Sequence, residues 1–399
     1  MKEVIKKYWA PALVFAGIIG VCLLFCMRKQ GLFIDEIYTY GLSNSYHAPY
    51  LTDVKGGILT DRIFTCEEID AYLSVSREDA FAFGSVYRNL EQDVHPPLYY
   101  WIFHFVSSLF PGSSSKWIGL GINAFFFFLT DVILYALAME LYGSLDVACA
   151  VTALYGLSVL GLSTVTMIRM YMLLTFFTVL LAFTIARLMH TQKKASYYCL
   201  LLLSLFGGMM TQYYFVFYAF FLCAVYDLYT LIRKDYRTFF RFSFVALAGV
   251  GLMVIAFPAS LHQVFQGNGQ AVGGSSVIDA LKDTATYRER LQNFGNAANL
   301  FLRGMRQTAV LAAGCLLLCI RKLPKTVRDG KIPFDALIIL LPLPLAYLIT
   351  VLIAPLQAQE IRYIYNLAPI AAAGIGFLFC MAERSMGSFR RNCMVKKAI

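Results

Sequence analysis

Asp35 and Glu36 are adjacent acids set a few residues beyond an apolar run, Tyr8 to Met27. At a membrane surface partial dehydration raises a carboxylate's affinity for protons and strengthens its hydrogen bonds. A carboxylate so placed can take a proton from an acceptor hydroxyl or amine; the competing account is a pair of solvated interfacial charges. The same polar stretch closes on Asp93-Val-His95-Pro96-Pro97. Two prolines fix the backbone in an extended corner, which holds the His95 imidazole where it can bind a phosphate or donate a proton; the alternative is a structural cap. Arg169, in Ile168-Arg-Met-Tyr171, and Arg362, in Gln359-Glu-Ile-Arg-Tyr363, head two later apolar runs. A guanidinium fork suits bidentate contact with a phosphate, although either side chain can instead snorkel to the interface as an anchor. Tyr38, Asp93, Tyr171, Gln212 (in Thr211-Gln-Tyr-Tyr214) and Tyr363 complete the candidate set as substrate-lining residues.

What must position these groups is a membrane bundle. Of 399 residues, 59% are hydrophobic and 15% charged, with 33 Phe and 25 Tyr and a mean hydropathy of +0.64, a profile that excludes an ordinary water-soluble domain. The formal net charge is +10. Its Lys and Arg fall in short clusters between apolar runs rather than along one face, which reads as a topology signal and not as a nucleic-acid surface. The ten cysteines have no metal spacing. Seven of them (Cys22, Cys149, Cys199, Cys223, Cys315, Cys319 and Cys380) lie in apolar stretches as small hydrophobes, and Cys66 stands in the polar loop without an obvious partner there, so no disulfide framework is expected.

The first run is too long for an ordinary signal-peptide core and ends in Arg28-Lys29-Gln30 without a small-x-small cleavage site, so an uncleaved signal anchor is expected. Further runs cover about 117–139, 146–166, 171–190, 196–211, 213–232, 240–257, 300–320, 335–354 and 363–381, each near the ~20 residues a helix needs to cross a bilayer. Pro96 to Phe110 is short for a span. Placed on the outer surface, it leaves about ten transmembrane helices and brings the basic clusters at Lys2/Lys6/Lys7, Arg187/Lys193/Lys194, 233–241, 321–331 and 384–397 to the cytoplasmic side. Counting it as an eleventh span would export four of these five clusters or split them from the N-terminus. The expectation is one all-α polytopic domain over 1–399 in the plasma (inner) membrane. Both termini lie inside, and there is no soluble domain.

Two large external loops follow. The loop 28–116 carries the candidate acids and has helix-like stretches at about 67–75 and 77–91, the second starting on Ser76-Arg-Glu-Asp79 as cap and acidic first turn. The loop 258–299 has glycine clusters at Gly267-Asn-Gly-Gln and Gly273-Gly-Ser-Ser, then a polar helix-like stretch around 277–293. It reads as a mobile flap or as an inert connector.

The order of these motifs, from the acidic pair after the first span to His95-Pro-Pro-Leu-Tyr-Tyr-Trp101, Arg-Met-Tyr171 and Arg362-Tyr with Pro369, resembles the GT-C glycosyltransferase superfamily. The likeness is to the bacterial branch related to protein O-mannosyltransferases and the lipid A aminoarabinose transferase, and it covers Phe33 to about Ile370. The resemblance implies a GT-C-like fold and transfer of a hexosyl or pentosyl group from a polyprenyl-phosphate donor to a protein, lipid or wall-polymer acceptor at the outer face. It implies that Asp35 is the general base, with Glu36 beside it, and that His95 and Arg169 or Arg362 hold the donor phosphate. Relatives often carry a Glu two residues before the Arg of Arg-x-Tyr, where this chain has Met167. A second acidic contact, and a divalent metal shared between two carboxylates, are therefore open, with Asp93 or Glu360 as substitutes.

Two other classes compete. A transporter or flippase for a lipid-linked or polar solute should show charges near mid-span and broken helices, whereas Asp131 and Asp227 fall nearer the ends of their apolar runs. A catalytically silent GT-C-like scaffold is the third reading, prompted by Met167.

Overall fold

Helix α1 (Lys2–Arg28) is a mostly apolar rod with Arg28 in its last turn, and the chain then folds back to place a polar layer over one end of a helical bundle. The computed structural model describes residues 2–51, 54–55, 58–59, 63–191, 195–265, 333–353 and 361–386, with scattered helical residues between 288 and 317. The described residues are helical apart from loops and one antiparallel two-residue hairpin, Val54–Lys55 with Ile58–Leu59.

The layer is built from α2 (Ile34–Asn44), α3 (Cys66–Leu73), α4 (Phe83–Glu91) and α5 (Leu98–Ser108). Helix α3 opens on a full capping box: Glu68 N donates to Thr65 Oγ1 at 3.2 Å and Thr65 N to the Glu68 carboxylate at 2.9 Å. Helix α4 begins at Phe83, six residues later than Ser76-Arg-Glu-Asp79 predicts. Ser76 does accept from Asp79 N at 3.0 Å, but Phe81 sits at φ 61°, a left-handed conformation that ends helical propagation there. Phe81 N donates to Ser108 Oγ at 2.9 Å, tying the turn to α5. At 11 residues, α5 reaches about 16 Å, half a bilayer core, and it packs beside α2 and α4 rather than spanning. Gly41 on α2 lies so close to Tyr72 on α3 that a Cβ would stand 1.8 Å from its ring.

The bundle follows with α6 (Lys116–Tyr142), α7 (Leu145–Gly156), α8 (Val159–Thr166), α9 (Tyr171–His190), α10 (Ala195–Met209), α11 (Phe215–Ile232), α12 (Tyr236–Ala256), α13 (Ala259–Phe265), α14 (Phe334–Leu340) and α15 (Pro342–Ile353). A 3₁₀ helix, Ile361–Leu367, then leads into α16 (Ala368–Met386). Among the described residues, six stretches are long and apolar enough to cross a membrane: Trp9–Arg28, Lys116–Tyr142, Tyr171–His190, Phe215–Ile232, Tyr236–Ala256 and Ile361–Arg384. The pair α7 and α8, expected as one span over 146–166, is bent by 51° and makes a seventh if counted together. The bend falls where Ser158 caps a new helix, accepting from Gly161 N at 3.0 Å. Ala195–Met209 and Phe334–Thr350 are shorter apolar helices. The expected span at 300–320, the glycine clusters of the 258–299 loop, the 321–331 basic cluster and Glu360 lie wholly or almost wholly outside the described residues.

Helix α9 is enclosed by its neighbours, while α1 and α12 lie at the rim. At the end of the bundle away from the polar layer, Arg187 on α9 pairs with Glu140 on α6 at 2.7 Å, and His190 stands 3.0 Å from Asp335 on α14. Asp131 lies fifteen residues into the 27-residue α6, about 22 Å along its axis, fully buried with no hydrogen-bond partner on either oxygen among the described residues. It faces the end of α7, where a Cβ on Gly156 would stand 3.1 Å from its carboxylate. It is a deep acid beside a broken helix, not an end residue.

Candidate active site at the head of the bundle

The first turn of α2 sends Asp35 and Glu36 in different directions. Glu36 is 1% exposed and its carboxylate is saturated. It accepts from Lys29 Nζ at 2.8 and 2.9 Å, from Phe33 N at 2.7 Å and from Ile168 N at 2.7 Å. It therefore stitches α2 to the turn between α8 and α9. Asp35, one residue earlier, turns toward the far end of the chain and pairs with Arg362 on the 3₁₀ helix.

The turn that Glu36 holds carries Arg169. Two further contacts fix it: Asn123 on α6 donates to Val165 O at 3.0 Å and to Met167 O at 2.7 Å, while Tyr99 of α5 donates to Asn123 Oδ1 at 3.0 Å. Gly119 on α6 allows the close approach, since a Cβ there would lie 2.1 Å from Ile168. Arg169 is buried and reaches back into α2, donating to Asp35 O at 3.1 Å and Thr39 Oγ1 at 3.3 Å, and its second amino group lies 3.4 Å from His95 Nε2. The other side of the His95 ring contacts Asp93 at 2.6 Å. Burial opposes ionisation of Asp93, but the His95 imidazole and the Arg169 guanidinium outweigh it and hold the carboxyl below the usual aspartate range. Tyr50 contacts the other Asp93 oxygen at 3.2 Å.

The geometry thus joins Asp35, Arg362, Arg169, His95 and Asp93 in one chain of contacts drawn from four parts of the sequence. An aromatic wall stands behind it. Tyr171 meets Tyr363 and Tyr365 edge-on at 6.1 and 6.2 Å, Tyr214 meets Tyr363 at 5.0 Å, and the Arg362 guanidinium lies 5.5 Å from the centre of the Tyr363 ring. Tyr38 meets Tyr50 edge-on at 6.0 Å. Gln212 is buried with its amide oxygen accepting from Tyr213 N at 2.7 Å, a local contact apart from this chain of charges.

Comparison with known proteins adds to this geometry. Residues 94–262 match the family model described as dolichyl-phosphate-mannose-protein mannosyltransferase. That segment holds His95, Arg169 and Gln212 and leaves Asp35, Glu36 and Arg362 outside. No curated protein matches the sequence. The crystal structure of apo ArnT from Cupriavidus metallidurans superposes with a TM-score of 0.53 at 15% identity, over 94% of this chain and 61% of that one.

The chain has a GT-C fold. The crystal structure of the same ArnT bound to undecaprenyl phosphate aligns with a TM-score of 0.49 at 13% identity and the same coverage, so this chain spans 61% of the length of the ArnT chain it matches. By motif order and fold it resembles the GT-C superfamily glycosyltransferases of the protein mannosyltransferase and ArnT kind.

Within this GT-C fold the charged groups are paired in a way that bears on metal binding. The Asp35 carboxylate faces a guanidinium and Asp93 faces an imidazole, and among the described residues no three His, Cys, Asp or Glu side chains converge. The donor set does not fit a divalent ion shared between two carboxylates. Met167 contributes its main-chain carbonyl to the turn, accepting from Asn123 and also from Arg169 N at 2.8 Å.

Three contributors to the site escape a reading of motifs. Lys29 belongs to Arg28-Lys29-Gln30, which the sequence marks only as the end of the first apolar run. Asn123 is a single amide within an apolar run. Thr39 alone had a signal, since it follows Asp35 by four residues and so shares its helix face.

Proposed function

We propose that this chain is a membrane glycosyltransferase that moves a hexosyl or pentosyl group from a polyprenyl-phosphate donor to an acceptor at the outer face of the membrane, with Asp35 as general base. The observation that carries the reading is the joining of one carboxylate, two guanidinium groups and an imidazole at the head of an apolar bundle. The description of the matching family, which names a dolichyl-phosphate sugar, supports a lipid-phosphate donor. In the reaction Asp35 takes the proton of the acceptor hydroxyl or amine as that atom bonds to the sugar's anomeric carbon. The bond from that carbon to the phosphate oxygen breaks with its electron pair, and polyprenyl phosphate leaves. Arg362, Arg169 and His95 stabilise the charge that builds on the leaving phosphate. The carrier chain lies in the apolar surroundings of the bundle, and Tyr38 and Tyr363 supply ring surface for the sugar, with Tyr171, 1% exposed, packed behind Tyr363.

The test is transfer by purified protein in lipid, wild type beside Asp35→Asn, over a panel of radiolabelled polyprenyl-phosphate sugars with and without chelator. Loss of a general base costs about 10²–10⁴ in rate, so Asp35→Asn should insert and fold normally while release of lipid phosphate falls by that factor. Undiminished transfer by the variant would remove Asp35 from its role.

A second reading, movement of a lipid-linked or polar solute across the bilayer, draws support from Asp131, a buried mid-span acid beside the break between α7 and α8. Carrier translocation in the same vesicles, lost in Asp131→Asn and retained in Asp35→Asn, would favour it over transfer.

A further inference from the structure

The candidate base and one candidate phosphate ligand neutralise each other. Asp35 and Arg362 are 327 residues apart in the chain, yet the Arg362 Nη1 group sits against Asp35 Oδ2, with 11% of the Arg362 side chain and 23% of the Asp35 side chain exposed. A carboxylate so occupied has one oxygen taken up by a guanidinium and out of reach of a substrate proton.

The two arginines of the site differ in how they are held. Arg169 is buried and clamped between Asp35 O, Thr39 Oγ1 and His95, on a turn that Glu36 and Asn123 both fix. It contacts the main chain of Asp35 and leaves the carboxylate alone. Arg362 is the group that engages the carboxylate, and it stands at the second residue of a seven-residue 3₁₀ helix, a tighter and less stable form than the α-helix. Beside it lies the Tyr363 ring, held by Tyr171 and Tyr214, against which a guanidinium can slide without losing its aromatic contact.

We propose that the Asp35–Arg362 pair is a latch opened by the donor: the anionic phosphate of the polyprenyl carrier takes Arg362 in a bidentate contact, and Asp35 is uncovered as a base only when a donor is bound. This rests on the proposed transferase reading and adds the regulation of its base. A phosphate offers Arg362 two oxygens in the geometry of its fork, and Arg169, already fixed, supplies the second cation, so the phosphate replaces the carboxylate as the counter-charge of Arg362 and leaves Asp35 uncovered. An empty enzyme would hold its carboxylate masked, while the loaded one presents it to the acceptor.

The experiment reads Asp35 directly. Wild-type protein in lipid nanodiscs is treated with a carbodiimide and glycine ethyl ester, and amide formation at Asp35 is followed by peptide mass. Glu36, saturated and buried, serves as the internal carboxylate that stays unlabelled. Labelling of Asp35 should be low in the empty protein and rise several-fold with undecaprenyl phosphate, while undecaprenol, which keeps the chain and lacks the phosphate, should leave it at the empty level. Arg362→Gln, with Arg362→Lys as a second variant, should label strongly without any lipid. Carrier binding with unchanged labelling, an equal rise with undecaprenol, or wild-type-like protection in both Arg362 variants would each overturn the latch and leave the transferase reading standing. Failure of undecaprenyl phosphate to bind at all would sink the donor class, and the latch with it.

Discussion

Glu36 separates what adjacent residues can do. The acidic pair is legible as a pair in the sequence, and the resemblance assigns both members to the catalytic centre, but position on a helix decides their work. Successive residues point about 100° apart, so Asp35 faces Arg362 while Glu36 faces Lys29 and the Ile168 amide. No motif encodes that division, because it depends on which distant main-chain N–H arrives beside the carboxylate. Glu36 is then a positioning residue, and Glu36→Gln tests it. The amide cannot accept at both ends and leaves Lys29, 15% exposed, without its charge partner. Removing one member of a buried charged network costs about 3–5 kcal/mol, and the partial exposure of Lys29 places the loss toward the lower end. The expected result is a melting temperature several degrees lower in detergent and weaker carrier binding, both recovered by Glu36→Asp only in part. Asp35→Asn should shift the melting temperature far less. Equal thermal losses in the two variants would show that the acids share one role.

At the scale of elements, the sequence places most helices to within a few residues and misses what happens between them. The length of continuous apolar runs locates α6 and α9, while the bend at Ser158 and the delayed start of α4 at Phe83 arise from local backbone geometry that hydropathy does not register. The α8–α9 turn is the consequential case. It presents Arg169, and it is held by an amide, Asn123, and a glycine, Gly119, on a helix that reads as plain membrane span. Asn123→Leu keeps the helix apolar and removes the clamp, leaving the Tyr99 hydroxyl and the Val165 carbonyl to find other partners while the Met167 carbonyl keeps only Arg169 N. Each buried polar group left unsatisfied costs about 1–3 kcal/mol. The expected outcome is loss of stability together with weaker binding of undecaprenyl phosphate by isothermal titration, because Arg169 moves with its turn. A variant as stable as wild type that binds carrier normally would show the turn to be held by its own geometry alone.

For the whole molecule, hydropathy makes the membrane class plain, and the charge clusters go further by proposing which side faces out. The helix count is less legible, since among the described residues six helices qualify outright, a seventh depends on how the α7–α8 bend is counted, and α10 and α14–α15 are short for a span. Orientation follows from sequence asymmetry and can be tested with cysteines already in the chain. Cys66 is exposed at the start of α3, in the layer that carries Asp35, whereas Thr191 caps the far end of α9, where Arg187 and His190 meet Glu140 and Asp335. With the other cysteines replaced, a membrane-impermeant maleimide should label Cys66 in intact cells. In a Cys66→Ser background, Thr191→Cys should label only after the membrane is opened. A bilayer core of about 30 Å separates the two ends, so one reagent cannot reach both from one side. The reverse pattern would put Asp35 on the cytoplasmic face, where the acceptor and the donor carrier would have to be sought instead.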